Sequence, residues 1–191
     1  MRRHKEGPRR APRRAPTTVL VYCGAARTER SYVDGLKAMR RRSGTSVLVR
    51  GSGKAPVQLV RAAAAHRDRT PGAFDEVWCV VDVDQFDIDS ASSEARREGV
   101  HLAVSNPCFE LWLLLHHAHC RAYCADCSEV TRRLVKHVPG YDKARLDFSR
   151  FAAGVGDAVK RARDLDPTGT EHRRNPSTNV WQLVERILEG T

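Results

Sequence analysis

The sequence contains no apolar stretch long enough to cross a membrane. Its most apolar run, residues 111–115, is far shorter than the roughly 20 residues that a membrane-spanning helix needs. The N-terminus carries the positive charge of a signal peptide, but no apolar segment of the kind such a peptide requires follows before Thr17. We therefore expect a cytoplasmic protein that has no membrane partner.

The short motifs of several enzyme classes are also absent. The sequence has no P-loop, no H-E-x-x-H zinc motif, no G-x-S-x-G nucleophile motif and no dinucleotide-binding glycine pattern. Residues 51–54 read GSGK, but this segment lacks the spacing and the Lys-Ser or Lys-Thr ending of a phosphate-binding loop. Any catalytic group must therefore be sought outside these motifs.

Positive charge is concentrated at one end of the chain. The formal net charge is +10, and residues 1–16 contribute six Arg and one Lys against one Glu, so this segment alone carries +6. Arg and Pro dominate it, and because it cannot bury an apolar core we expect it to be disordered. Residues 17–191 are enough for a single domain. The basic segment is either an arm that binds phosphates non-specifically or a solvated leader without function.

The first of these interpretations predicts a salt effect. Removing residues 1–16 is expected to weaken nucleic-acid binding and to flatten its salt dependence, because fewer phosphate contacts release fewer counterions. The slope of log K against log salt concentration, measured by fluorescence anisotropy for the full and shortened chains, checks this. An unchanged slope would contradict the phosphate-binding arm.

The distribution of apolar residues predicts the fold class. Buried strands are predicted at residues 17–23, 46–50, 77–82 and 100–104, with helices between them at 28–42, 56–69 and 90–98. After residue 104 only helices are predicted, at 107–117, 126–138, 147–165 and 178–189. This alternation is typical of a parallel sheet that is covered on both faces. We predict an α/β fold with a mainly parallel sheet of about four strands, flanking helices and a helical C-terminal region.

Two aspartates follow the strongest predicted strand. Asp82 and Asp84 lie in the segment VVDVDQFD, and residues two apart point to the same face of an extended chain. Their Cα atoms would be about 6–7 Å apart, a spacing that one or two hard cations can bridge directly or through water. Ligand sites in open α/β sheets lie beyond the carboxyl ends of strands, so we predict metal ligands here. The alternative is a polar strand exit, which Asp87 and Asp89 nearby also fit.

Two glutamates at predicted helix starts are further candidate ligands. Glu110 follows Asn106 and Pro107, a favourable cap and first residue for a helix, and it precedes the apolar LWLLL. A buried carboxylate there needs a partner, which is a metal, an Arg or Lys, or the helix N-terminus. Glu29 opens the first helix and lies beside the exit of the Asp82 strand if the two strands are neighbours. Otherwise it only complements the helix dipole.

Cysteine and histidine residues cluster after the apolar helix. Cys124 and Cys127 have C-x-x-C spacing, and Cys120 and His116 are near enough in sequence to complete four zinc ligands. The alternative is a group of reduced thiols at a polar helix end, since a chain without a secretory signal is not expected to form a disulfide framework. The two cysteines in the predicted strands are expected to be buried small apolar residues.

Five segments together resemble the RloB-like family, which is known from restriction-linked and abortive-infection loci. They occur in the family's order between about residues 19 and 189 and read VYCGAARTERSY, VWCVVDVDQF, AVSNPCFELWLLLHH, GYDK and NPSTNVWQLVE. The strings NPCFELW and NPSTNV are specific, and their joint occurrence by chance is not expected.

This resemblance implies a TOPRIM-like fold related to the nuclease domains of OLD-type proteins. It implies phosphodiester chemistry that depends on Mg²⁺ or Mn²⁺, nucleic acid (DNA or RNA) as substrate, and a role in anti-phage defence, often beside a partner ATPase. The candidate catalytic residues are Glu29, Asp82, Asp84, Glu110 and Lys143. The candidate contacts to phosphate or nucleic acid are Arg27, Asn106, Lys143 and Asn175.

The first motif departs from the family pattern. The family usually has Cys-Glu-Gly-Glu-x-Thr-Glu, whereas residues 23–29 read CGAARTE, so Gly24 and Ala26 replace two glutamates and only Glu29 remains. One interpretation is a nuclease that uses Glu29 or Glu110 instead. Another is a degenerate TOPRIM protein that binds nucleic acid or a partner ATPase without cutting. A zinc-stabilised regulatory module is a third.

Overall fold

One sheet organises the fold. The structure, a computed structural model, describes residues 17–25, 27–39, 45–83 and 86–189. The strands in these residues are β1 (Thr17–Cys23), β2 (Thr45–Gly51), β3 (Glu76–Asp82), β4 (His101–Asn106) and β5 (Ser177–Thr178). They lie in the order β2-β1-β3-β4-β5; β1 to β4 are parallel, and β5 pairs antiparallel with β4. The predicted mainly parallel α/β fold is confirmed.

Helices cover both faces of this sheet. The helices between the parallel strands are α1 (Thr28–Met39), α2 (Pro56–Arg69) and α3 (Ile88–Glu98). The helices after β4 are α4 (Phe109–Leu115), α5 (Cys127–His137), α6 (Ser149–Ala152), α7 (Val155–Leu165) and α8 (Val180–Glu189). None of these described helices combines the length and the apolar character that a membrane crossing requires. Two predictions, the disordered segment 1–16 and the placement of Asp84, lie outside the described residues.

The sheet separates two apolar cores because its strands are buried on both faces. Along β1, Val19 and Val21 belong to one core and Leu20 to the other, as the two-residue repeat of a strand requires. Helices α2 and α3 cover the Leu20 face, and α1 covers the opposite face together with the C-terminal helices. Cys23 and Cys79 are both 0% exposed, which confirms that they are buried small apolar residues.

Helix α4 begins two residues later than predicted. Asn106 does not cap it, because this residue ends β4, pairs with Ser177 and donates its side-chain amide to the carbonyl of His172 at 2.9 Å. Cys108 stands at the N-cap position instead. The helix predicted at residues 107–117 was therefore wrong at both ends, although Glu110 remains in its first turn.

The helix predicted at residues 147–165 is two helices that are separated around Gly154. A Cβ atom on Gly154 would lie 2.5 Å from the backbone oxygen of His116, so a larger residue would collide with the end of α4. This close approach brings α7 against α4, and both helices contribute to the larger core. Sequence periodicity continues across the break and does not reveal it.

Strand β5 was not predicted, because two residues carry no periodic pattern. The residue that follows it, Asn179, joins the C-terminal region to the sheet. Its Oδ1 accepts from the backbone N–H of Val104 in β4. Its Nδ2 donates to the carbonyl oxygens of Leu102 at 3.1 Å and Gly169 at 2.8 Å. One side chain therefore completes hydrogen bonds for three backbone groups.

Replacing Asn179 with Ala is expected to lower the free energy of unfolding by about 2–4 kcal/mol, because these backbone groups lose their partner. Urea unfolding followed by circular dichroism measures the change. Gln58→Ala, on the exposed face of α2, is the control and should change stability by less than about 0.5 kcal/mol. Equal stability of the two variants would show that water replaces the amide without loss.

Candidate metal and nucleic-acid site

A cleft of about 270 Å³ lies beyond the carboxyl ends of β1 and β3. These strands are neighbours, with Cys23 opposite Val80, so the residues that follow them meet at one edge of the sheet. The lining includes Glu29 and Asp82, together with Gly24 and Lys54. This edge is where open α/β sheets bind their ligands.

Glu29 is the most deeply buried carboxylate of the cleft. It lies in the first turn of α1, is 1% exposed, and its Oε2 accepts from the backbone N–H of Ala25 at 2.6 Å. Burial and then the charge of Asp82 raise its pKa well above the ordinary value, with a further contribution from Glu110. The hydrogen bond from Ala25 and the charge of Lys143 act in the opposite direction without cancelling the rise. A carboxylate in this setting is suited to accept a proton or to bind a cation.

Asp82 ends β3 and is partly buried. Its charge acts on Glu29, Tyr141 and Lys143, which places it in the same electrostatic cluster. The second member of the predicted pair, Asp84, lies outside the described residues. Of the two aspartates, only Asp82 can therefore be placed in the described part of the site.

Glu110 approaches this cluster from α4 and is 1% exposed. The sequence left a metal, an Arg or Lys, or the helix N-terminus as its partner, and the structure shows a lysine: Lys143 Nζ lies 3.0 Å from Oε1 of Glu110. The hydroxyl of Tyr141 donates to the same oxygen at 3.2 Å. Burial and the neighbouring Glu110 raise the pKa of Tyr141, so this residue remains a neutral hydrogen-bond donor.

Lys143 comes from the loop between α5 and α6. Its carbonyl accepts from the hydroxyl of Thr28 at 2.7 Å, which ties the loop to the start of α1 beside Glu29. Burial opposes the charged form of Lys143, but the charges of Glu110, Asp82 and Glu29 outweigh it and raise the pKa of the lysine. The described cluster thus contains three carboxylates and one ammonium group.

In their chemistry the residues present fit a hard divalent cation, but in the described residues the side-chain oxygens of Glu29, Asp82 and Glu110 do not all lie within 4.8 Å of one another. Mg²⁺ and Mn²⁺ prefer carboxylate oxygens, and Lys143 together with Lys54 in the cleft lining offsets only part of the negative charge that three carboxylates supply. Burial raises the pKa of Glu29 most, and the charges of Asp82 and Glu110 each raise this pKa by more than Lys143 lowers it, so negative charge outweighs positive charge around Glu29. The sequence brought these residues into consideration separately, and the fold brings Glu29, Asp82, Glu110 and Lys143 together.

The other candidate phosphate contacts are placed differently. Arg27 is exposed at the start of α1. Asn175 is committed to Cys124: its Oδ1 accepts from the backbone N–H at 3.0 Å and its Nδ2 donates to the carbonyl at 2.9 Å. The amide of Asn106 donates to the carbonyl of His172. Both asparagines join segments of the chain, and their contact with phosphate stays a prediction.

The four candidate zinc ligands do not form one cluster among the described residues. Both ring nitrogens of His116 are engaged inside the protein, one with the hydroxyl of Tyr32 at 2.9 Å and one with the carbonyl of Trp112 at 2.9 Å. Burial lowers the pKa of His116 to about 4, so the ring is neutral. The Sγ atoms of Cys120 and Cys124 lie 3.5 Å apart, but Cys127 forms a disulfide with Cys108.

Sequence reasoning missed three residues near the site. Tyr141 lies in the GYDK segment, where only the lysine was considered, and Cys108 lies in the NPCFE segment next to Glu110. Lys54 lines the cleft from the GSGK segment, which was set aside because it is not a phosphate-binding loop. All three lie in segments that the sequence marks out, but only the folded chain shows which residues they contact.

A mainly parallel α/β sheet with an acidic cluster at its carboxyl edge is consistent with a TOPRIM-like protein. The model of the RloB-like protein family matches residues 19–187, and the chain belongs to this family. No curated protein and no solved structure matches the chain.

Proposed function

We propose that this RloB-like protein is a nuclease that depends on Mg²⁺ or Mn²⁺ and cuts DNA or RNA in anti-phage defence. The observation that supports this is that Glu29 and Asp82 line one cleft at the carboxyl edge of the sheet, with Glu110 near enough to raise the pKa of Glu29, although the three are far apart in sequence. Two of these carboxylates are 1% exposed: Lys143 compensates the charge of Glu110, and a bound cation would compensate that of Glu29, whose pKa is raised by burial and by Asp82. A pKa raised in this way is typical of a functional site.

Each charged group has a role in this proposal. Asp82 and Asp84 would hold the divalent ion, which would supply Lewis-acid chemistry to the phosphate. Glu29 or Glu110 would either complete the ligands of the ion or activate the attacking water. Glu29, whose pKa is raised, is suited to accept a proton from the attacking water. Lys143 provides positive charge where the phosphate develops negative charge, and Glu110 holds the lysine in place.

Nucleic acid fits the charge of the chain as a partner. The net charge is +10, so the protein as a whole attracts phosphates while its cleft is acidic. A divalent ion in the cleft reconciles these two properties, because it bridges carboxylates and phosphate. The partner ATPase belongs to the same proposal and rests on the family resemblance alone.

A second candidate function is binding without cleavage. Two observations favour it: Gly24 contributes no carboxylate to the cleft, and Oε1 of Glu110 is already bonded to Lys143 and Tyr141. Such a protein would hold nucleic acid without a complete metal site.

A cleavage assay separates the two functions. The purified chain is incubated with labelled single-stranded and double-stranded DNA and RNA, in Mg²⁺, in Mn²⁺ or in a chelator. The nuclease proposal expects cleavage that requires the metal and falls to background in Asp82→Asn. Asp68→Asn, which removes one exposed carboxylate at the end of α2, should retain activity. Binding that persists in the chelator, with no cleavage in either metal, would favour the second function instead.

A further inference from the structure

Two cysteine sulfurs lie close to the carboxylate of Glu110, whose other oxygen is bonded to Lys143. The Sγ atoms of Cys108 and Cys127 and one oxygen of Glu110 lie within 4.8 Å of one another. The structure joins the two sulfurs as a disulfide. Oε2 of Glu110 lies 3.1 Å from Cys127 Sγ. We propose that, once the disulfide is reduced, Cys108, Cys127 and Glu110 form a binding site for a thiolate-preferring cation of the Zn²⁺ class.

The orientation of Glu110 supports this site. Its Oε1 accepts from Lys143 and Tyr141, which fix the plane of the carboxylate and leave Oε2 directed at the sulfur atoms. Ligands of structural and catalytic metals are commonly oriented in this way by a second hydrogen-bonding partner. A disulfide gains no hydrogen bond from this arrangement, because its sulfurs carry no proton to donate to the carboxylate.

The chemistry of the three groups selects the metal. Two thiolates favour Zn²⁺ over Mg²⁺, and three protein ligands with water at the fourth position make a tetrahedral zinc site. Two thiolates and one carboxylate carry three negative charges against the two positive charges of zinc. Lys143, 3.0 Å from Glu110, offsets the remaining charge. The set differs from the four ligands that the sequence suggested, since only Cys127 is common to both.

The surrounding structure supports binding at this place. Cys108 is 2% exposed and stands directly before α4, while Cys127 is the first residue of the eleven-residue helix α5. A thiolate at the start of a helix of that length is stabilised by the helix N-terminus. The Cα atoms of the two cysteines are 5.7 Å apart, so both side chains reach a shared point without movement of the helices.

Opening the disulfide and binding zinc require a reductant and no oxidant. A phosphine or thiol reductant supplies two electrons and opens the Cys108–Cys127 bond, and each sulfur takes up a proton. Zinc then replaces both protons, which are released to solvent, and no oxidation state changes. The proposal stands on these contacts and does not require nuclease activity. If the proposed nuclease function is correct, zinc bound here would take Glu110 as a ligand, weaken its bond to Lys143 and so lower the nuclease activity.

Cobalt binding tests the site directly. The full chain is reduced with a phosphine under anaerobic conditions and titrated with Co²⁺, which reports thiolate ligation by its charge-transfer absorption. We expect one Co²⁺ per chain with a thiolate signal that Zn²⁺ abolishes by displacement. Cys108→Ser and Cys127→Ser should each lose it. The double variant Cys120→Ser with Cys124→Ser is the matched control and should retain it, because this second sulfur pair lies outside the site.

Glu110→Gln provides a test that keeps both sulfurs and the size of the side chain. We expect the thiolate signal to survive with an affinity that is at least about tenfold weaker. Circular dichroism checks that each variant is folded. If Cys108→Ser does not fold, the result for Cys127→Ser, at a half-buried position, decides whether the sulfurs bind the metal. The proposal is overturned if the reduced chain shows no thiolate-bound cobalt. It is also overturned if the signal survives Cys127→Ser, or if it disappears in the Cys120 and Cys124 double variant.

Discussion

Glu29→Gln is expected to stabilise the metal-free protein at neutral pH by about 1–3 kcal/mol while it removes metal-dependent activity. The carboxylate is 1% exposed and lies near the charges of Asp82 and Glu110, so its ionised form is costly in the folded state. Glutamine has the same shape and still accepts the hydrogen bond from Ala25, but it carries no charge. Chemical unfolding in a chelator measures the gain.

The sign of the pH dependence follows from the direction of the pKa shift. Because the pKa of Glu29 is raised above its ordinary value of 4.5, the folded chain keeps a proton that the unfolded chain loses first. The contribution of Glu29 to stability is therefore full below about pH 4.5 and is lost as pH rises through the folded-state pKa. The stability difference between Glu29→Gln and the unmodified chain should vanish at acid pH and widen toward neutral pH.

Metal is expected to offset the stability that the variant gains. Mg²⁺ at 100 times its dissociation constant should stabilise the unmodified chain by about 2.7 kcal/mol and leave Glu29→Gln unchanged. Cleavage by the variant should fall by about 10²- to 10⁴-fold if Glu29 is the general base. Glu171→Gln, at an exposed position, is the matched control and should alter none of these quantities. A variant that is less stable than the unmodified chain in the chelator would contradict the proposed charge crowding.

The fold was largely predictable because its strands are continuous apolar runs. Helix α2 begins and ends at the residues predicted from its proline start and the Thr-Pro-Gly segment that stops it. What failed depended on contacts between distant segments. Strand β5 pairs with the edge of β4, and the break around Gly154 lies where the chain packs closely against the backbone of His116.

The candidate site was predictable in its members but not in their arrangement. Carboxylates at strand and helix ends pointed to Glu29, Asp82 and Glu110, because these positions share one edge of a parallel sheet. Spacing along the chain could not show that Lys143 bonds to Glu110, since 33 residues separate them and a loop carries the lysine. The same holds for the bond between Cys108 and Cys127, since C-x-x-C spacing grouped Cys127 with Cys124 and left Cys108 out.

Gly24 is one of the two positions at which the resemblance to the RloB-like family implies a glutamate that this chain lacks. It follows β1, lines the cleft with Glu29 and Asp82, and its backbone N–H donates to the carbonyl of Val80 at 2.9 Å. A Cβ atom at Gly24 would lie 3.2 Å from that carbonyl oxygen, so a side chain fits only if the backbone shifts by a few tenths of an ångström. The glycine thus removes a charge from the cleft and also allows the strands to approach closely.

Gly24→Glu is expected to raise the affinity for Mg²⁺ by about tenfold or more, equivalent to about 1.4 kcal/mol, because it adds a carboxylate to a cleft whose lining already includes Glu29 and Asp82. Gly24→Gln is the matched control, since it has the same size and meets the same Val80 oxygen without the charge. Both variants should lose about 1 kcal/mol of stability in a chelator through the tight contact, and only the glutamate variant should recover it when Mg²⁺ is added. Isothermal titration calorimetry and the cleavage assay, run on both variants and the unmodified chain, measure the two effects together.

A parallel gain in affinity and cleavage would identify the unmodified cleft as a weakened metal site. If the glutamate and glutamine variants bind Mg²⁺ equally and the unmodified chain already cleaves efficiently, then Glu29 or Glu110 has taken over the missing role and the site is complete without a carboxylate at position 24.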